Sequence, residues 1–252
     1  MEIKNVTDFE KAVRTGGYDQ PGIAESYEKI TGKFFSERQR EAEQLIGLIP
    51  EELELAGGQR VPLNECRAVD LGCGPGLIAD NLAGKVKEIV AIDAAKEMVG
   101  FLKEKYKNQK EITAVRADMT EIPLADQSAE IVVSSGAIFE LPADGQSDEK
   151  FLAEAARILK PGGILILDSI SNANYYNSDR PDSSRNFSRQ RAEDIKNAAQ
   201  SDSAVKQRTR VFLDSELKGQ LENFGYDCEA ESFFNEDYRL LCAVKITKKI
   251  KK

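Results

Sequence analysis

The sequence predicts an α/β protein, a mostly parallel sheet with helices on both faces, and three observations carry that expectation. From about residue 66 onward, short apolar runs alternate with helical patterns, as successive βαβ units do. Val69-Asp70-Leu71-Gly72-Cys73-Gly74-Pro75-Gly76 reads as a buried strand that ends in a glycine-rich turn and runs directly into a helix. Lys160-Pro161-Gly162-Gly163 reads as the stop of a helix just before a fully apolar strand.

Taken in order, residues 1–65 are mainly helical, with Ser36-Glu37-Arg38-Gln39 as a capping box that opens a helix to about Ile49. The first strand of the sheet is 67–71 and its helix 76–83; the second is 88–93, followed by a helix over 95–106. Strands over 112–118 and 129–134 come next, then a helix over 149–159 and a fifth strand over 164–168. A polar, turn-rich segment at 172–210 carries eight Lys/Arg against five Asp/Glu, and is therefore basic within an acidic protein. It reads either as a solvated insertion or as a lid or substrate arm. A helix over 214–224 leads to strands 226–233 and 238–246, joined by the short turn Asn235-Glu236-Asp237 as a hairpin at the sheet edge. The resulting division is a helical cap at 1–65 and a domain at 66–252 that carries the 172–210 insertion.

Composition narrows the chemistry. With 41% hydrophobic and 31% charged residues the chain can build a core, which argues against overall disorder. The net charge of −8 argues against nucleic-acid binding driven by phosphate neutralisation. No apolar run approaches the ~18 residues of a membrane span, and the first residues lack the apolar segment of a secretion signal. No membrane or nucleic-acid partner is expected, and the oligomeric state is not legible. The four cysteines (66, 73, 228, 242) form no CxxC pair, and there is no histidine. A conventional zinc site is thus not expected, Ser-His and Cys-His catalysis are excluded, and the thiols read as reduced residues of a cytoplasmic protein. Cys228 and Cys242 are the one pair that a hairpin could bring together.

The glycine turn is where function becomes legible. Gly72, Gly74 and Gly76 give G-x-G-x-G, whereas the dinucleotide pattern G-x-G-x-x-G needs a glycine at 77, which is Leu77. Asp70 before the turn suits a cationic ligand without a pyrophosphate. Asp93 ends the second strand, where an acid can accept hydrogen bonds from both ribose hydroxyls. Asp118-Met119 ends the third, where a carboxylate can accept from an adenine amine and the next N–H can donate to a ring nitrogen. Ser134-Ser135-Gly136 ends the fourth, on the ligand's other side. Asp93 and Asp118 could each be a helix cap instead; it is their joint occurrence after the glycine turn that points to an adenosine-bearing cofactor.

On these residues, with Ile89–Asp93, Arg116–Met119, Ile131–Gly136 and Leu159–Gly163, the chain resembles class I S-adenosylmethionine-dependent methyltransferases, closely over 66–170 and more loosely to the C-terminal hairpin. The resemblance implies a Rossmann-like seven-stranded sheet ordered 3-2-1-4-5-7-6 with the last strand antiparallel. It also implies S-adenosylmethionine as cofactor and S-adenosylhomocysteine as product. Asp70, Gly72, Cys73 and Gly74 would lie near the methionine part, Asp93 and Ala94 at the ribose, Asp118 and Met119 at the adenine, and Ser134 across from them. Met98 would pack on the adenosine or simply in the core. Where many small-molecule relatives place a histidine after the fourth strand, this chain has Phe139-Glu140-Leu141, so Glu140 reads either as a base or as a solvated loop residue. Glu140 and Tyr27 are the catalytic candidates, and Tyr175, Tyr176 and Arg180 the substrate-side candidates, all by location alone. The expected activity is methyl transfer to a small molecule. A nicotinamide-dependent dehydrogenase is the alternative enzyme, and a non-catalytic S-adenosylmethionine-binding regulator the alternative outside enzymes.

Overall fold

The computed structural model describes residues 17–33, 35–138, 141, 146–168, 214–224, 226–234 and 240–249. Two helices come first, α1 (Ile23–Lys33) and α2 (Phe35–Gly47), followed by a small antiparallel hairpin of β1 (Glu52–Glu54) and β2 (Arg60–Pro62). A short 3-10 turn (Leu63–Glu65) leads into β3 (Arg67–Leu71), α3 (Leu77–Leu82), β4 (Glu88–Asp93), α4 (Lys96–Lys105), β5 (Ile112–Arg116) and β6 (Ala129–Ser134). Then come α5 (Gln146–Ile158), β7 (Leu159–Asp168), α6 (Asp214–Asn223), β8 (Tyr226–Phe234) and β9 (Leu240–Lys249).

The sheet has seven strands in the order β5-β4-β3-β6-β7-β9-β8, with β9 antiparallel to both neighbours. This is the order that the resemblance implied. Its central strands are buried on both faces, so they are almost continuously apolar, as a parallel sheet requires. The strand period of two divides them between the layers. Val69, Leu71, Val90, Ile92 and Val132 pack with α5 and α6 on one face. Ala68, Ile89, Ala91, Ile131 and Val133 pack with α2, α3 and α4 on the other.

Several expectations need correction. The segment at 50–62 holds the β1–β2 hairpin and is not helical: Glu52-Leu53-Glu54 is too short for its alternation to register as a pattern, but it buries Leu53. The hairpin and α2 share one apolar cluster with the sheet through Leu45, Ile46, Leu53, Leu55 and Val61. Helix α2 opens at Phe35, which places Ser36 inside its first turn and not at the cap.

Lys160-Pro161-Gly162-Gly163 lies within β7 rather than ahead of it, because α5 passes into the strand without a loop. The reason is tertiary. Gly162 has φ +92°, and a Cβ there would sit 2.5 Å from Leu55 Cα and 2.7 Å from the Glu54 carbonyl oxygen. The Pro161 carbonyl accepts the Ala56 N–H at 2.9 Å. The glycine therefore lets the hairpin press against the start of the strand, and a register shift between Ala129 and Ile131 on β6 absorbs the irregularity. At the far edge, register sets Cys228 opposite Ile246 and Cys242 opposite Ser232. The two cysteines are thus four positions out of step, roughly 13 Å along the ladder, which is too far for a disulfide. The insertion at 172–210 lies outside the described residues.

Candidate active site

The carboxyl ends of β3, β4, β5 and β6 converge on one cavity of about 460 Å³, at the switch point of the strand order. Its floor is the turn after β3. The Gly72 and Cys73 N–H groups donate to the Ile92 carbonyl at 2.8 and 3.0 Å, which ties the turn to β4. Gly72 has φ +68°, and a Cβ there would collide with Ala137, so glycine is the residue this crossing admits. Met119 and Ala137 close over the same point.

Asp70 and Asp93 set the electrostatics. Asp70 is 1% exposed, lines the cavity, and has no hydrogen-bond partner on either carboxylate oxygen. Burial, followed by the Asp93 carboxylate, raises its pKa to about 8; the nearby Ala79 N–H opposes the rise. Asp93 is better served: its Oδ2 accepts the Gly74 N–H at 2.9 Å and its Oδ1 the Ala95 N–H at 2.8 Å. Burial raises its pKa as well, and those two N–H groups restrain the rise. Asp93 thus holds together the glycine turn and the entry to α4. Each oxygen keeps a second lone pair for a ligand hydroxyl, so the capping and ribose readings are compatible. Cys73 is buried in the same wall, and burial, then Asp70, push its thiol well up.

The third acid belongs to the loop after β5. Asp118 Oδ1 accepts both the N–H and the hydroxyl of Thr120 at 2.8 Å, a local turn that commits one oxygen and leaves the residue lining the cavity beside Met119. Helix α5 pins this loop from behind. Arg157 donates to the Ile122 carbonyl at 2.8 Å, the Leu124 carbonyl at 2.7 Å and Asp126 at 2.9 Å, while Glu154 accepts the Ile122 N–H at 2.7 Å. Hydrogen bonding to Arg157 lowers the Glu154 pKa.

The N-terminal segment forms the outer wall. Tyr18, Asp19 and Tyr27 line the cavity together with the glycine turn. Asp19 accepts the Lys96 N–H and so caps the start of α4 from outside its own helix. Ile23 and Ala24 of α1 pack on Ala95 and Met98, with Tyr18 and Tyr27 alongside. Met98 therefore belongs to a core cluster and lines the cavity as well. Beneath the turn, Lys105 Nζ donates to the Pro75 carbonyl (3.0 Å), Asp80 (2.7 Å) and Glu28 of α1 (3.0 Å).

Asp70, Gly72, Cys73, Gly74, Asp93, Ala94, Met98, Asp118 and Met119 thus surround one cavity, together with Tyr27. Ser134 does not line it: its hydroxyl is buried and donates to the Leu71 carbonyl at 3.1 Å, and Ser135 and Gly136 line the cavity at this strand end instead. The strand period turns Ser134 away and presents its neighbour. Glu140, Tyr175, Tyr176 and Arg180 lie outside the described residues. Tyr18 and Asp19 were missed by the sequence, since only their packing on α4, some 80 positions away, brings them to the site.

A doubly wound sheet with acids at its strand ends around a glycine turn is an arrangement suited to a nucleoside-bearing cofactor. Residues 69–167 match the family described as "Methyltransferase domain". Over 114 residues the chain is 32% identical to a cypemycin N-terminal methyltransferase of Streptomyces, covering 45% of this chain and 46% of that one. Over 104 residues it is 34% identical to a malonyl-[acyl-carrier protein] O-methyltransferase of Hahella chejuensis, covering 40% and 36%. The chain thus spans less than half the length of these relatives. Its fold is that of an S-adenosylmethionine-dependent methyltransferase of Aquifex aeolicus (TM-score 0.54, 18% identity, 94% and 98% of the two chains). Residues 69–167 thus match a methyltransferase domain, and the cofactor that such a domain takes is S-adenosylmethionine.

Proposed function

We propose that the protein transfers the methyl group of S-adenosylmethionine to a small-molecule acceptor. The observation that carries this reading is one cavity lined both by a buried carboxylate that has no hydrogen-bond partner among the described residues and by tyrosines of the N-terminal segment. The residues fit the cofactor. Asp70 offers two free oxygens to a cationic amino-acid end, and Asp93 has lone pairs toward a ribose position. Met119 and Met98 offer apolar surface near Asp118 for an adenine. The volume lies within the range of about 300–1,000 Å³ typical of small-ligand sites.

When bound, the sulfonium supplies an activated methyl and its own leaving group. The protein's contribution is alignment and exclusion of water. The glycine turn allows the backbone to approach the ligand closely, the Arg157–Glu154 clamp holds the Asp118-Met119 loop, and Tyr18 and Tyr27 line the same cavity. Tyr27 and Glu140 are the acceptor-side candidates for holding or moving a proton, and Tyr175, Tyr176 and Arg180 would belong to a basic arm at 172–210 that favours an acidic acceptor. The relatives named above are an N-terminal methyltransferase and a malonyl-[acyl-carrier protein] O-methyltransferase, so a small acceptor is favoured here by the cavity and not by kinship.

Calorimetry with S-adenosylmethionine and S-adenosylhomocysteine is the test: binding of both is expected, and no binding of either at millimolar concentration sinks the proposal. Incubation with methyl-labelled cofactor and a small-molecule extract should then label a low-mass product. Label appearing only in protein or nucleic acid would refute the small-molecule assignment.

A further inference from the structure

Asp70 is a carboxylate in an environment that resists its charge. It is 1% exposed, has no partner on either oxygen, and lines the cavity. Among the described residues, none of the elements packed against it supplies a counter-charge. On β4 the facing acid is Asp93, held by two backbone N–H groups. On α3 the charged group is Asp80, already bound by Lys105 and hydrogen-bonded with Tyr106. The turn contributes the buried Cys73 thiol, and β6 presents Val133 opposite in register. Among the described residues, both charged groups that act on Asp70 are therefore anions, Asp93 and Asp80, and only the Ala79 N–H acts the other way. An isolated buried carboxylate is too costly to keep ionised and takes up a proton instead.

We propose that Asp70 holds a proton in the ligand-free site and loses it to solvent when a ligand ammonium group binds beside it, so that binding of the methyl donor or its product releases one proton. The O–H bond of the carboxyl group breaks, the proton passes to buffer, and the ammonium of the amino-acid end becomes the missing counter-charge. No oxidation or reduction is involved. This rests on the reading of the cavity as an S-adenosylmethionine site. The rise of the Asp70 pKa to about 8 agrees with it and sets the window, since below that pH the free site is mostly protonated.

The test is titration calorimetry of the full chain with S-adenosylhomocysteine at pH 6.5, in buffers of different ionisation enthalpy, which counts protons released. Close to one proton per site is expected. Affinity should rise about tenfold from pH 6 to pH 7, because each pH unit below the free-site pKa costs one factor of ten. Asp70→Asn mimics the neutral carboxyl and is expected to fold; its release should fall near zero and its affinity should vary less than about threefold over the same range. Wild type and variant should converge toward pH 5.5. 5′-Methylthioadenosine, which has no amino-acid end, should bind without proton release. Release that persists in Asp70→Asn, or binding by wild type with none, overturns the inference while leaving the cofactor assignment intact. Failure of wild type to bind S-adenosylhomocysteine at any pH overturns the cofactor assignment itself.

Discussion

Asp70 lowers the stability of the ligand-free fold as pH rises. Its folded pKa, about 8, lies above the unfolded value of 3.8, so the unfolded chain binds fewer protons between these limits. Stability is therefore greatest below the unfolded value and declines as pH rises through the folded one. Urea denaturation of the ligand-free protein should show a lower midpoint at pH 8 than at pH 5. Asp70→Asn should flatten that slope and stabilise the protein at pH 8 by a few kcal/mol, since each tenfold change in proton affinity between the two states carries about 1.4 kcal/mol. Gly72 acts through shape and not charge. Because its φ is +68° and a Cβ would overlap Ala137, Gly72→Ala should cost about 2–4 kcal/mol in chemical denaturation and also weaken cofactor binding.

The elements hold these residues in place through contacts that cross the chain. Helix α5 reaches the loop after β5 through one arginine, which satisfies two loop carbonyls and Asp126, and one glutamate, which accepts a loop N–H. Arg157→Ala should lower stability by about 1–3 kcal/mol. It should also weaken S-adenosylhomocysteine binding in calorimetry, since Asp118 and Met119 lie on the freed segment. A variant that loses stability and keeps full affinity would show that the clamp serves the fold alone. The Glu154 carboxyl, held below its usual range by Arg157, makes this clamp fade as pH falls through that lowered pKa. The hairpin beside β7 follows the same logic: the proline–glycine pair reads as a stop, yet Gly162 serves a close approach to Leu55.

The molecule as a whole joins an N-terminal wall to a sheet-borne floor, and the ligand is expected to bridge them. A ligand at a hundred times its dissociation constant adds about 2.7 kcal/mol to the folded state, which for a chain of this size is roughly 5–10 °C in melting temperature. S-Adenosylmethionine and S-adenosylhomocysteine should each give such a rise in a thermal-shift measurement, and a nicotinamide dinucleotide none. A rise with the dinucleotide alone would favour the dehydrogenase alternative.

The central strands, the glycine turn and the three acids at the strand ends were legible in the sequence because each depends on local rules, whereas the strand order came from the family resemblance. Continuous apolar runs mark doubly buried strands, glycines mark a turn under close approach, and the carboxyl ends of parallel strands in an open sheet border the ligand crevice. Residues 135 and 136 in place of Ser134, the hairpin at 52–62, and the wall of Tyr18 and Asp19 were decided only in three dimensions. They depend on which face a side chain takes in the pleat, on how closely β7 packs against the hairpin, and on contacts between segments some 80 positions apart. The same holds for the burial of Asp70: the sequence shows an acid before a glycine turn, but it is the packing of β4 and α3 around it that removes its water and sets two carboxylates, Asp93 and Asp80, against it with only the Ala79 N–H in its favour.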